Sequence, residues 1–198
     1  MLELRPVLAD AARAAPGDEV GAAPAVVLQE NAVQGLIQVS AWPRSCERVA
    51  DVLADQLGVD DAPGPGRALI TPGATIMRVH PLSWWMVDAD GLSLDPAKWL
   101  TPDLGTFLDL GHSRVRLVLS GPASTTLLNR FLAIDLRPSA FPIGAVASSA
   151  FHHVSVLLHR REHGFHLYLT RGFAVSLFEL LAETAAQFGS QVLPSAAP

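Results

Sequence analysis

Seven histidines have the widest chemical reach in this chain. A neutral imidazole can ligate zinc, and its protonation changes near neutral pH. Either role needs partners converging on one point. His152 and His153 are adjacent, so on a strand they face opposite sides. His159 lies on the Ser155 and Leu157 side of its strand, His163 falls in a turn, and His166 shares a face with Tyr168 and Thr170. No two histidines stand at i and i+4 of a helix, and no carboxylate joins them as in H-E-x-x-H. The reading is polar strand faces or contacts to a partner, with no metal site and no catalytic residue.

The remaining reactive groups fit no site pattern. Cys46 is the only cysteine, which leaves no intrachain disulfide and no cysteine-based zinc site. No G-x-G-x-x-G follows a strand. Gly64-Pro-Gly66 is a turn, because proline removes an N–H that a phosphate would need. Ser120-Gly-Pro does not match the G-x-S-x-G elbow. Asp88, Asp90, Asp95, Asp103 and Asp109 read as turn and cap residues. No cofactor-binding residue is assigned.

The elements that would position any site occur in two passes. The first opens with a strand over 35–42, broken by Pro43; Ser45 is placed to cap a helix over 45–57. Cys46, Val49, Leu53 and Leu57 form that helix's apolar face, which makes the cysteine a small core residue. Two strand-like runs follow at 74–79 and 84–87, with a turn at 88–91. The second pass opens with a strand over 114–120, in which Val115, Leu117 and Leu119 share a side. Gly121-Pro122 starts a helix expected to reach Phe131. Strands at 145–151, 154–160 and 165–170 come next, then an amphipathic helix over 173–188 closed by Gly189. Residues 95–104 are its weaker counterpart in the first pass.

The fold class is therefore α+β, two βαββ-type halves (33–108 and 109–189) in one domain spanning 33–189. Residues 1–32 read as an irregular extension and 190–198 as a tail.

Composition points to a subunit. The chain is 49% hydrophobic and only 17% charged, against about 25% charged in an average domain. Thirteen of its 14 basic residues are arginine, which interfaces favour over lysine. Residues 1–109 carry a net charge of −8 and residues 110–198 a net +3, without the basic stripe of a nucleic-acid binder. No membrane span and no leader is read, and a cytoplasmic location is expected. In Trp84-Trp85, adjacent strand positions point opposite ways, so either one indole fills the core and the other faces outward to be covered, or both are buried between helices. The expected partner interface combines the N-terminal extension, one of Trp84 and Trp85, and the strand face with His166 and Tyr168.

Asp109-Leu-Gly-His-Ser-Arg114 and Leu119-Ser-Gly-Pro122 resemble the gamma subunits of bacterial heterotetrameric sarcosine oxidases. So do Ile134-Asp-Leu136, Ala140-Phe-Pro142 with Gly144, Val156-Leu-Leu-His159, Leu167-Tyr168 and Arg171-Gly-Phe-Ala174. Order and spacing match over about 80 residues, from Asp109 to Gly189; before that, Gln38-Val-Ser-Ala-Trp-Pro43 is similar. Gly111 and Gly172 depart from the family's usual serines. The resemblance implies a fold like the N-terminal region of glycine-cleavage aminomethyltransferases. It implies a noncatalytic, assembly role in a complex that demethylates sarcosine to glycine, giving hydrogen peroxide and formaldehyde or 5,10-methylenetetrahydrofolate. Alpha, beta and delta subunits are the implied partners, and FAD, FMN, NAD, zinc and tetrahydrofolate are implied on those subunits. The alternative is a stand-alone folate-binding aminomethyltransferase-like or repair-type protein, which Arg44-Ser-Cys-Glu47 fits poorly because the repair signature is Lys-Gly-Cys.

Overall fold

A computed structural model describes residues 6–15, 23–33, 35–88 and 95–196. The chain gathers into two compact units, Met1–Ala32 with Ser113–Ile143 and Ser148–Pro198, and Val33–His112 with Gly144–Ala147. The class is α+β, as expected, with one sheet of six strands and one of five.

The six-stranded sheet has the order β11 (Ser190–Ala196), β1 (Val26–Asn31), β7 (Arg114–Ser120), β10 (Gly164–Thr170), β9 (Val154–Arg161), β8 (Val146–Phe151). Its central register pairs Leu117 with Leu167, Leu119 with Phe165 and Leu28 with Leu119, so these side chains share one face. Glu30 opposes Leu117 on that face and reaches α1 (Ala9–Ala14). Its carboxylate accepts the Val7 and Leu8 backbone N–H groups at 2.8 and 2.9 Å and the Ser195 hydroxyl at 3.0 Å. A nearly buried carboxylate thus satisfies donors at the start of the helix, where negative charge is favourable. Glu30→Ala is expected to cost about 2 kcal/mol, the worth of charge-assisted bonds, and to speed amide exchange across α1. An unchanged urea midpoint would contradict that anchoring role.

The long helix α4 (Ala174–Ala186) buries Leu177, Phe178, Leu181 and Ala185 along one stripe, and Gly189, at φ 81°, turns the chain away. The short helix α3 spans only Ser124–Leu128. It does not reach Phe131 or begin at Pro122: the Ser124 hydroxyl donates to the Gly121 carbonyl at 2.8 Å, closing a turn ahead of the helix. His152 and His153 form the tight turn between β8 and β9 rather than strand positions. His152 takes φ 53° there, with its ring stacked on Phe151.

Strands occupy both segments expected to be irregular. β1 runs through the proposed extension and β11 through the proposed tail. β1 pairs antiparallel with β7 and parallel with β11, so most of its stabilisation comes from residues far away in sequence. Pro194 sits in β11 where the register against β1 slips, at a sheet edge that tolerates the missing donor.

The five-stranded sheet has the order β3 (Ala68–Ile70), β4 (Ala74–His80), β5 (Ser83–Asp88), β2 (Leu36–Ala41), β6 (Gly105–Asp109). Val39, Ala41, Ile76, Trp84 and Met86 form a core with Val49 and Leu53 of α2 (Cys46–Leu57), with Cys46 packed at its margin. Ser45 precedes α2 without capping it; its hydroxyl donates instead to the carbonyls of Leu104 and Trp42. Residues 95–104 hold only a 3-10 turn, Pro96–Lys98, and β6 follows where no strand was expected. The turn expected at 88–91 falls, beyond Asp88, outside the described residues.

Candidate functional site

Two places concentrate groups that a structural role alone does not use. The first is the second face of the six-stranded sheet. Pairing of β9 with β10 sets His159 directly opposite His166, with ring centroids 5.9 Å apart at 84°. One step along, β10 and β7 set Tyr168 opposite Arg116. Arg116 donates through Nη2 to the Ala32 carbonyl at 2.9 Å. His159 is 0% exposed.

Burial pushes the His159 imidazole down to about 4, aided by the positive field of Arg161. Burial likewise pushes His166 down to about 3, with Arg116, Arg161 and His159 adding in the same direction. Burial raises the Tyr168 phenol. At neutral pH the pair is therefore two uncharged imidazoles beneath arginines. Neither His159 nitrogen has a hydrogen-bond partner among the described residues. Two neutral rings with no carboxylate acting on them among the described residues are poorly placed to abstract a proton near pH 7. Among the described residues no three His, Cys, Asp or Glu side chains stand together as a metal-binding group.

The second place is the rim of the five-stranded sheet, where Trp42, Phe107 and Leu108 are exposed. The Trp42 indole donates to the Pro102 carbonyl at 2.8 Å.

These positions correct the expected interface. Trp84 and Trp85 are both buried, so neither indole faces outward. Trp84 fills the α2 core, where the Arg78 guanidinium lies 4.7 Å above its ring. Trp85 donates to Gln38 Oε1 at 3.0 Å, a bond that lets the second indole be buried without an orphaned N–H. Tyr168 is buried as well, and His166 is mostly so. The structure brings His166 and Tyr168 onto one strand face, as their spacing indicated, and adds His159 and Arg116 to it. The Arg116 contribution was legible as the polar member of the alternating run Arg114-Val-Arg-Leu, on the face opposite Val115 and Leu117. The exposed Phe107 and Leu108 were missed because β6 itself was missed.

No family model matches the chain. It is 29% identical over 138 residues to the sarcosine oxidase subunit gamma of an Arthrobacter species, covering 69% of this chain and 68% of that protein. It is 26% identical over 175 residues to the subunit of the same name from Corynebacterium sp. strain P-1, covering 84% and 83%. Among solved structures, the heterotetrameric sarcosine oxidase from Corynebacterium sp. U-96 in complex with pyrrole 2-carboxylate contains a chain similar to this one. The TM-score is 0.75 at 25% identity, over 98% of both chains. The glycine cleavage system aminomethyltransferase T from Bartonella henselae shares the fold, with a TM-score of 0.59 at 18% identity. That likeness covers 87% of this chain and 48% of the aminomethyltransferase chain. The resemblance carried by the motifs from Asp109 onward thus agrees with relatives bearing the subunit's name and with an end-to-end structural match.

Proposed function

We propose that this chain is the gamma-type subunit of a heterotetrameric sarcosine oxidase and that it has an assembly role rather than a catalytic one. The observation that carries the reading is the structural match over 98% of both chains to a component of such an oxidase. The two relatives named as gamma subunits support it. So does the content of the buried polar face: its imidazoles are neutral at working pH, with no acid partner among the described residues.

On this reading the complex oxidises the N-methyl group of sarcosine. Glycine and hydrogen peroxide leave, and the one-carbon unit departs as formaldehyde or 5,10-methylenetetrahydrofolate. Alpha, beta and delta subunits carry FAD, FMN, NAD, zinc and the folate. This chain presents no dinucleotide fingerprint of its own. The alternative, a stand-alone folate-dependent aminomethyltransferase, has the shared fold in its favour, but the chain spans about half the length of that neighbour.

Sarcosine-dependent peroxide release separates the two. The assembly of all four chains is expected to release peroxide, while the isolated chain releases none and shows no saturable tetrahydrofolate binding in the micromolar range. Tight folate binding by the isolated chain would overturn the reading.

A further inference from the structure

We infer that β6 is a docking edge that takes an extended strand from a partner subunit, a short apolar stretch flanked by lysine or arginine. This rests on the subunit reading proposed above.

Among the described residues β6 pairs only with β2 and ends its sheet. The Leu110 N–H donates to the Leu36 carbonyl at 2.7 Å, and the Trp42 N–H to the Leu104 carbonyl at 3.0 Å. Antiparallel pairs alternate, so the backbones of Thr106 and Leu108 face β2. Phe107 and Asp109 turn their N–H and C=O groups to the open side, and Gly105 its C=O, while the Gly105 N–H donates to the Thr101 carbonyl at 3.3 Å. Those groups are a template for another strand.

The side chains suit the same role. Phe107 opposes Val39 and Leu108 opposes Gln38, so the two lie on opposite faces of the strand. They are 43% and 57% exposed, and Trp42, 46% exposed, extends the apolar surface at the strand's start. An added strand would cover apolar area on both faces at once. Free edges in monomeric proteins are usually blunted by shortness, proline, lysine or a bulge. In this fold β3 is three residues long and β11 carries Pro194. Gly105-Thr-Phe-Leu-Asp109 has neither device and no lysine.

Charge selects the occupant. Asp103 and Asp109 bracket the strand, both exposed. A hydrogen bond from Thr101 lowers the Asp103 carboxyl further, so it is ionised at neutral pH. If a second copy paired antiparallel about Phe107, Asp109 would face Gly105 and lie diagonal to the copy's Asp103. Four carboxylates would then crowd one seam, which is unfavourable. Residues 33–112 also hold 10 acids and only 5 bases, so two copies repel more broadly. A partner strand with basic flanks meets the opposite situation.

The test uses the four co-expressed subunits. The Phe107 N–H takes no part in the β2 ladder, so Phe107→Pro blocks the open edge without removing an existing bond. Phe107→Pro and Leu108→Lys are each expected to weaken capture of the other subunits by at least about tenfold, with the isolated chain's melting temperature nearly unchanged. Ile70→Lys, on the far edge strand β3, should leave capture intact. In the wild-type assembly the Phe107 and Asp109 amides should exchange more slowly than in the free chain. Normal capture by both β6 variants, with those amides unprotected, overturns the docking edge and leaves the subunit reading standing. Failure of the wild-type chain to be captured at all removes both. A wild-type dimer of this chain abolished by Phe107→Pro would replace the partner with a second copy.

Discussion

Replacing Gly164 with alanine should cost about 4 kcal/mol, enough to lower the melting temperature by about 10 °C in a chain of this size. Gly164 opens β10 at φ 139°, a region that L side chains rarely adopt, and a Cβ there would lie 2.1 Å from the Leu119 carbonyl oxygen. The obstacle is backbone of the neighbouring strand, which cannot rotate away as a side chain would. Relief requires β10 and β7 to separate where Phe165 opposes Leu119, and that breaks ladder bonds at the centre of the six-stranded sheet. Gly172 provides the control. A Cβ at Gly172 meets nothing within 4 Å and its φ is ordinary, so Gly172→Ser should stay within about 0.5 kcal/mol of the parent. Thermal unfolding of both variants is the measurement; equal stability would mean that β10 does not approach β7 as described.

Acidification from pH 7 to pH 4 is expected to remove several kcal/mol of stability, on the scale of 1.36 kcal/mol per pKa unit. His159 and His166 titrate near the ordinary value of about 6.5 in the unfolded chain. In the fold they are held down at about 4 and about 3. Between those values the unfolded state binds more protons, so stability is complete above pH 6.5 and falls as pH drops. His159, 0% exposed, contributes about 3 kcal/mol of the loss by pH 4. The Arg137 guanidinium beside Asp135 holds that carboxyl down at about 2. Its contribution is also present above its ordinary value, but it is lost only as pH falls below about 4, outside the histidine window. Urea midpoints at pH 7, 5.5 and 4.5 therefore read the histidine window alone, and one at pH 3 adds the Asp135 carboxyl. His159→Leu should flatten the slope between pH 6.5 and 4; an unchanged slope would show that this imidazole does not set it.

What the sequence made legible follows from how local each interaction is. The alternation of Val115, Leu117 and Leu119 defines β7 within seven residues, and the stripe of Leu177, Leu181 and Ala185 defines α4, so both were readable. β1 and β11 were hidden because each is held by a strand from the other end of the chain, across more than 150 residues of separation. β6 was hidden for a related reason: Gly-Thr-Phe-Leu-Asp has no buried alternation and owes its conformation to β2. At the candidate sites, strand parity placed His166 with Tyr168 correctly. Parity could not show that Trp85 would find Gln38 Oε1 and be buried, because that partner is 47 residues away in the chain. The collinear motifs from Asp109 onward carried the family likeness despite these gaps, since they record the order of turns and strand ends.

The most direct test of the subunit reading is the mass of what a tagged copy of this chain retains when co-expressed with alpha, beta and delta sarcosine oxidase subunits. Native mass spectrometry is expected to show one assembly containing all four chains. Recovery of this chain alone, folded and monomeric beside an oxidase that assembles without it, would contradict the account.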